Sequence, residues 1–362
     1  MPRTGENIYQ RKDGRWEARC LCEITGKYQS LYAKSYTEVK RKKTEFLSRQ
    51  LHMVQTSTTT ATVAEAAVAW LVSVNFGVKE STFAKYSRTV RLHITPAFPK
   101  CKLAKINQTQ MELFAQSLIN KGLSSKTARD VLTIFKQILK HSNAERHIDF
   151  SKIKLKSEHK EMRVFTRAEQ NKLCKYLTHN ADAAKLGVLL SLYTGIRIGE
   201  LCALRWEDID LTAKTLRVEK TMQRIDNLDG VGCKTKIVIT DPKSNSSLRI
   251  IPLPDFLVPM LKAQQKNPQA YVLTAEKLRW MEPRTLQYRF KSMLKKAGVA
   301  DANYHCTRHS FASRAVELGV DVKTLSEILG HSKIEITLSR YVHSSFDLKR
   351  ECMDKMNLLC AA

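Results

Sequence analysis

The chain has 362 residues, 61 of them Lys or Arg and 35 Asp or Glu, giving a formal net charge of +26 and a pI near 9.7. With 43% hydrophobic and 27% charged residues it has the composition of a globular protein, which excludes a disordered, collagenous or low-complexity chain. The length implies two to three domains, and a charge this far from zero implies a polyanionic partner, nucleic acid before any other. No apolar run reaches the roughly 18 residues of a membrane span. No basic amphipathic anchor or lipidation signal is visible, so no membrane partner is expected. Met1-Pro2-Arg3-Thr4-Gly5-Glu6 lacks the apolar stretch of a signal peptide. Nine scattered cysteines, without metal-ligand or redox spacing, read as reduced thiols in a cytoplasm, with neither metal nor cofactor expected.

In chain order, residues 1–51 predict a small sheet with one helix. Ile8-Tyr9, the turn Asp13-Gly14 and Arg15 to Arg19 form a strand pair, and Tyr28 to Tyr32 a third strand after Thr25-Gly26-Lys27. Ser35 and Glu38 are spaced as a capping box opening a basic helix to about Leu51. Such a sheet can enter a DNA major groove, with Arg15 and Arg19 as candidate contacts. The polar stretch Gln55 to Thr60 reads as a linker.

Four amphipathic helices are predicted over 62–146, from the apolar stripes Val63/Ala66/Ala67/Trp70/Leu71, Phe83/Tyr86/Val90/Ile94, Met111/Phe114/Leu118 and Val131/Ile134/Phe135/Ile138. Lys85, Arg88, Lys126 and Arg129 lie on their polar faces as candidate DNA contacts. The lysine-rich stretch Ile148 to Met162 reads as a second linker. Beyond Val164 the pattern is mixed. A capping box at Thr166 and Glu169 is followed by a buried helix from about Ala183 to Tyr193 that ends at Gly195. Strands are predicted at Leu216–Glu219, Ile237–Thr240 and Leu248–Ile251, and helices at about 255–266, 284–296, 307–318 and 322–329. Gly319 and Gly330 stand at helix C-caps. The stretch 220–236 is longer than a strand turn requires and suggests an extra hairpin. Leu348, Cys352, Met356 and Leu359 give the tail helical spacing.

Polar residues interrupt this third segment in four places: Thr194-Gly195-Ile196-Arg197-Ile198-Gly199-Glu200, Pro242-Lys243 to Ser247-Leu248-Arg249, His305-Cys306-Thr307-Arg308-His309, and Leu329-Gly330-His331 with Tyr341 ten residues on. Each alone is weak. In this order, two arginines, two histidines, a lysine and a late tyrosine resemble the tyrosine recombinases of the phage integrase family. Over the whole chain the pattern is similar to integrases of conjugative transposons.

The resemblance implies a multidomain α+β protein. Its parts would be an arm-type DNA-binding domain at 1–54 (three-stranded sheet plus helix), a helical core-binding domain at 62–147 and a mainly helical catalytic domain with a small antiparallel sheet at 164–362. The helical and catalytic domains would form a C-shaped clamp on double-stranded DNA. Tyr341 would attack phosphorus to give a 3′-phosphotyrosine, so resealing needs no ATP. Arg197 and Arg308 would clamp the phosphate with planar, permanently charged forks. Lys243 would protonate the leaving 5′-hydroxyl, His305 would assist proton transfer at the tyrosine, His331 would bond the phosphate, and Glu200 would orient Arg197. Implied partners are the element ends and target site in duplex DNA, three further copies of the chain in a tetramer exchanging strands through a Holliday junction, and an excisionase-type directionality factor. The tail would dock on a neighbouring protomer or on its own core.

Some alternatives stay open. Cys306-Thr307 stands where many members have an acidic residue and leucine. Lys234 competes with Lys243 as the acid, although Pro242 and Ser247-Leu248-Arg249 favour Lys243. Tyr304 competes with Tyr341, and Cys306 beside His305 raises a thiol hydrolase. A type IB topoisomerase and a non-catalytic DNA-binding regulator on the same fold are the rival functions.

Overall fold

The computed structural model describes residues 8–11, 13–22, 27–46, 61–145, 148–156, 162–228, 233–241, 245–341, 350 and 353–354. The chain divides into two compact units, Met1–His159 and Lys160–Ala362. In the first, β1 (Ile8–Gln10), β2 (Trp16–Cys22) and β3 (Lys27–Ala33) form an antiparallel sheet in the order β1-β2-β3. The β1–β2 turn closes through Gly14 at φ +81°, a backbone that favours glycine. The period-2 alternation of β2 sends Trp16 and Ala18 to one side, where they pack with Leu31, Ala33 and Val39 of helix α1 (36–46). Ser35 Oγ accepts from the Glu38 amide at 3.3 Å and starts that helix. The Gln55–Thr60 linker lies outside the described residues.

Helices α2 (Val63–Asn75), α3 (Glu80–Thr89, continued by a π-helical turn at Val90–Ile94), α4 (Gln108–Asn120) and α5 (Ser125–His141) pack the predicted stripes into one core, except Phe83, which is half-buried outside it. Thr62 and Glu65 make a reciprocal capping box at α2, while Asn107 and Ser124 cap α4 and α5. Phe98, Phe114 and Phe135 meet at 5.0–5.6 Å between ring centres in this core. The expected second linker is corrected in its first half: Ile148, Phe150, Ile153 and Leu155 pack against the bundle. These half-buried residues line one edge of a segment, with a short 3-10 turn at Phe150–Lys152, that its lysines alone present as solvated.

The second unit is mainly helical: α6 (Arg167–Thr178), α7 (Ala183–Thr194), α8 (Ile198–Ala203), α9 (Leu257–Gln264), α10 (Pro283–Lys296), α11 (His305–Glu317), α12 (Val322–Leu329) and α13 (Ile334–Tyr341). Strands β4 (Ile209–Asp210), β5 (Thr215–Val218) and β8 (Arg249–Pro252) form one antiparallel sheet, and β6 (Thr221–Asp226) and β7 (Thr235–Thr240) a two-stranded hairpin. The long 220–236 stretch thus begins an extra hairpin, with β7 starting two residues before the predicted strand. The expected α6 capping box forms, with Thr166 Oγ1 accepting from the Glu169 amide at 3.1 Å. Helix α7 is apolar on nearly every side because α6, α9, α10 and α11 surround it. It ends at Gly195, φ +65°, where a Cβ would stand 2.5 Å from Phe311 and 2.8 Å from Leu329. The same chain reversal occurs at Gly330, φ +64°, after α12. Among the described residues no helix is long and apolar enough to cross a membrane. The tail segment Phe346–Leu359 lies almost wholly outside them.

Candidate active site

The α7–α8 corner, the start of β8, the first turns of α11, the α12 C-cap and the end of α13 converge in the second unit. At the corner, the Arg197 amide and Glu200 Oε2 are 3.0 Å apart, and Arg197 Nη1 donates to Glu200 Oε1 at 2.8 Å. Glu200 also accepts from Arg249, at 2.7 Å from Nη2 and 3.2 Å from Nη1. Burial alone would raise the Glu200 carboxyl, but the Arg249 hydrogen bonds and the charges of Arg249 and Arg197 outweigh it and hold it below the ordinary value. The i+3 pair expected for Glu200 is therefore a bridge between two arginines. Arg249, which the sequence offered only as context for Lys243, is an unforeseen member of the cluster.

Arg308 is 2% exposed. Its Nη1 donates to the Gly195 carbonyl at 2.7 Å and its Nη2 to the Leu329 carbonyl at 2.6 Å, while Arg197 Nη2 reaches the Gly330 carbonyl at 3.1 Å. The two left-handed glycine turns thus aim the carbonyls that hold both arginines. Burial first, then the charges of Arg197 and Arg249, lower Arg308 to about 9 despite Glu200. Arg197, Arg249 and Arg308 against Glu200 leave net positive charge in a largely desolvated place. That is a costly arrangement without an anion and a strong one with it.

His331 Nε2 accepts from Arg308 Nη2 at 3.0 Å. Because arginine only donates, Nδ1 carries the ring proton, directed at Thr337 Oγ1 2.8 Å away. Both ring nitrogens are therefore engaged, and a direct bond to a phosphate would require His331 to release one of them. Burial and the surrounding arginines lower it to about 3. Tyr341 is 6% exposed, at the end of α13, its ring parallel to that of His331. Its hydroxyl lies 2.7 Å from Nδ1 of His309. His305 stands edge-on to His309, ring centres 4.6 Å apart. The ring on the tyrosine oxygen is thus that of His309, which the sequence reading left without a role. The signal was present: His305, Arg308 and His309 at i, i+3 and i+4 share one helix face.

Lys243 lies outside the described residues. Lys234 is exposed at the end of the hairpin where β6 leads into β7, and its carbonyl accepts from the Asn227 amide at 2.9 Å. Tyr304 is buried, bonded to Ser191 Oγ at 2.9 Å and packed against Phe290, with burial raising its hydroxyl far above the ordinary value. That placement gives Tyr304 a packing role and weighs against it as the rival nucleophile. Cys306 is equally buried, which raises its thiol and opposes a thiolate. Among the described residues no group of three or more His, Cys, Asp or Glu is placed to hold a metal.

The predicted DNA contacts divide by surface. Arg19 lies on the sheet face away from α1, and Arg15 beside it in the β1–β2 turn, near Tyr9 and Tyr32. Both arginines are tied down, Arg15 to Asp13 at 2.7 Å and Arg19 to Glu17 at 3.3 Å. Lys85 and Arg88 are exposed on α3, with Lys85 paired to Asp130 at 2.9 Å. On α5 the exposed Lys126, Arg129, Lys136 and Lys140 fall within about 80° of one another around the helix, one basic stripe.

Residues 163–347 match the model of the phage integrase family, and residues 62–119 that of the phage integrase N-terminal SAM-like domain. The chain is 28% identical to a XerC-like tyrosine recombinase of Caldanaerobacter subterraneus subsp. tengcongensis over 91% of each chain. It is 23% identical to the ICEBs1 integrase of Bacillus subtilis over 80% of each. Its fold is similar to that of the Tn1549 transposon integrase in complex with transposon right end DNA, with TM-score 0.68, 22% identity, and 82% of this chain and 100% of that chain covered. A second neighbour is the lambda integrase tetramer bound to a Holliday junction, with TM-score 0.57, 17% identity, and 94% and 98% covered. With more than half of its length matched by one family model, the chain belongs to the phage integrase family and is a tyrosine-type recombinase.

Proposed function

We propose that this recombinase integrates and excises a mobile genetic element, binding the element ends and a target site in duplex DNA. Tyr341 attacks the scissile phosphorus and forms a 3′-phosphotyrosine, conserving the bond energy for religation. Arg197 and Arg308 hold the nonbridging oxygens, and the charge they present matches what develops in the transition state. Glu200 keeps Arg197 in place, His331 steers Arg308, and His305 supports proton movement at the tyrosine. Lys243 protonates the 5′-oxygen. The observation that carries this reading is the meeting of Arg197, Arg308, His331 and Tyr341 from three separate parts of the sequence around one positively charged, partly desolvated centre.

The domain assignment accompanies it: 1–54 reads arm-type sites, 62–147 grips the core site together with Lys85, Arg88, Lys126 and Arg129, and 164–362 catalyses. Four copies exchange strands in turn through a Holliday junction, in a bacterial cytoplasm or nucleoid, with a directionality factor of the excisionase kind biasing excision. Similarity to the ICEBs1 integrase, and a fold shared with a transposon integrase and with a lambda integrase tetramer bound to a Holliday junction, favour this role over a topoisomerase acting as a monomer.

The test is covalent trapping in EDTA, using nicked duplexes tiled from the DNA flanking the gene. Wild type should give an adduct that resists denaturation and Tyr341→Phe none. Salt-sensitive binding to the genomic junctions with no adduct in any tile would favour the non-catalytic regulator.

A further inference from the structure

We infer that His309 is a catalytic residue, taking the proton from Tyr341 Oη as that oxygen attacks phosphorus. The inference rests on the proposed Tyr341 nucleophile and adds the group that activates it. A phenol is a poor nucleophile until its proton has somewhere to go, and the acceptor must be within hydrogen-bond reach. His309 Nδ1 meets that condition at 2.7 Å, and both residues are buried, His309 at 8% and Tyr341 at 6% exposure. Both are held by helices: His309 sits in the second turn of α11, whose packing against α7 also places Arg308, and Tyr341 ends α13. The proton acceptor, the nucleophile and the phosphate clamp are therefore carried by helices that pack on one another.

The charged and titratable groups around His309 are His305 and Arg308 from α11, and Arg340 and Tyr341 from α13. Burial first, then Arg340 and Arg308, lower His309 to about 4, so the ring is uncharged at neutral pH, and with its one proton on Nε2 it offers the Nδ1 lone pair to the Tyr341 hydroxyl. A phosphate seated on Arg308 offsets that arginine's charge and moves His309 back toward ordinary basicity. Base strength thus rises when substrate is bound. In the step, the Oη–P bond forms and the P–O5′ bond breaks. The tyrosine proton passes to Nδ1, giving an imidazolium, and O5′ takes a proton from the Lys243 ammonium. Religation returns both protons.

The test compares wild type, His309→Ala, His309→Asn and Tyr341→Phe in the full chain, on nicked duplexes tiled from the DNA flanking the gene. Adduct formation is timed from pH 6 to 10, with DNA binding and thermal unfolding measured in parallel. The asparagine amide oxygen can still accept the tyrosine hydrogen bond but is not a base, so it separates proton transfer from positioning and guards against a cavity effect in the alanine variant. Both variants should bind DNA normally and lose on the order of 100-fold in cleavage rate at pH 7. Their rates should rise about tenfold per pH unit as hydroxide replaces the missing base, whereas wild type stays flat. A duplex with sulfur in place of O5′, which leaves without a proton, should rescue Lys243→Ala but neither His309 variant. Wild-type rates in His309→Asn, or a flat pH profile in both variants, would overturn the inference. An absent adduct with wild type on every duplex would instead count against the Tyr341 reading and take the inference with it.

Discussion

Replacing Glu200 with alanine removes a carboxylate that is 4% exposed and accepts four hydrogen bonds, two from Arg197 and two from Arg249. The Arg249 side chain is itself only 5% exposed, so the substitution leaves a buried guanidinium facing Arg197 with no counter-charge between them. Removing one partner of a buried ion pair costs about 3–5 kcal/mol. For a unit of roughly 200 residues, each kcal/mol moves Tm by about 2–4 °C, so the fall should be roughly 6–20 °C. Glu200→Gln keeps the shape and one acceptor oxygen but loses the charge, and should fall between wild type and alanine. The pH dependence has a definite sign. Glu200 is held below its ordinary value of 4.5, so the unfolded chain binds its proton more readily. The stabilisation is complete above that value and is lost as pH falls through the lowered one. The gap between wild type and glutamine should therefore narrow on acidification below that ordinary value. Calorimetry of the full chain at matched salt measures both effects. A Glu200→Ala protein melting within 1 °C of wild type would refute the bridging role, as would full additivity of Glu200→Ala with Arg249→Ala, since residues in one ion-pair network couple.

Arg308→Lys should lose on the order of 100- to 1000-fold in cleavage while binding DNA nearly as well, because one ammonium cannot span the Gly195 and Leu329 carbonyls and still present a planar fork; equal activity by the trapping assay would refute the clamp. Lys243→Ala should abolish cleavage of an ordinary duplex, and a Lys234→Ala enzyme equally impaired would reassign the acid. Lys126→Ala and Arg129→Ala should each weaken binding across all sequences and reduce the salt slope by about 0.9, measured by titration at several salt concentrations; an unchanged slope would remove α5 from the DNA interface. Gly195→Ala should destabilise by about 2–4 kcal/mol in chemical denaturation, since it combines a left-handed backbone with a Cβ inside contact distance of Phe311 and Leu329.

Periodic and local features were legible before folding was considered. The stripes of α2 to α5, the Thr166–Glu169 cap and the glycines closing α7 and α12 are written in neighbouring residues and need only a helix to express them. The strand at Thr221–Asp226 lacks strict alternation: Met222 and Ile225, three apart, are its buried pair in a two-stranded hairpin. It was visible only as surplus length. The lysines of 148–162 masked apolar residues that pack on the bundle, since charge at the tips of long side chains does not prevent burial of the residues between them.

The sequence by itself determined a net charge of +26 that suits a polyanionic partner, two arginines, two histidines and a tyrosine in recombinase order, and glycines after α7 and α12. Tertiary structure alone decided how those residues are joined. Glu200, already bonded to Arg197, reaches Arg249 across 49 positions, Arg308 takes carbonyls from the ends of two other helices, and His309 rather than His305 meets Tyr341 across 32. Hydrogen bonds of this kind depend on where separate helices stop relative to one another. That is set by core packing around α7, and no spacing along the chain encodes it.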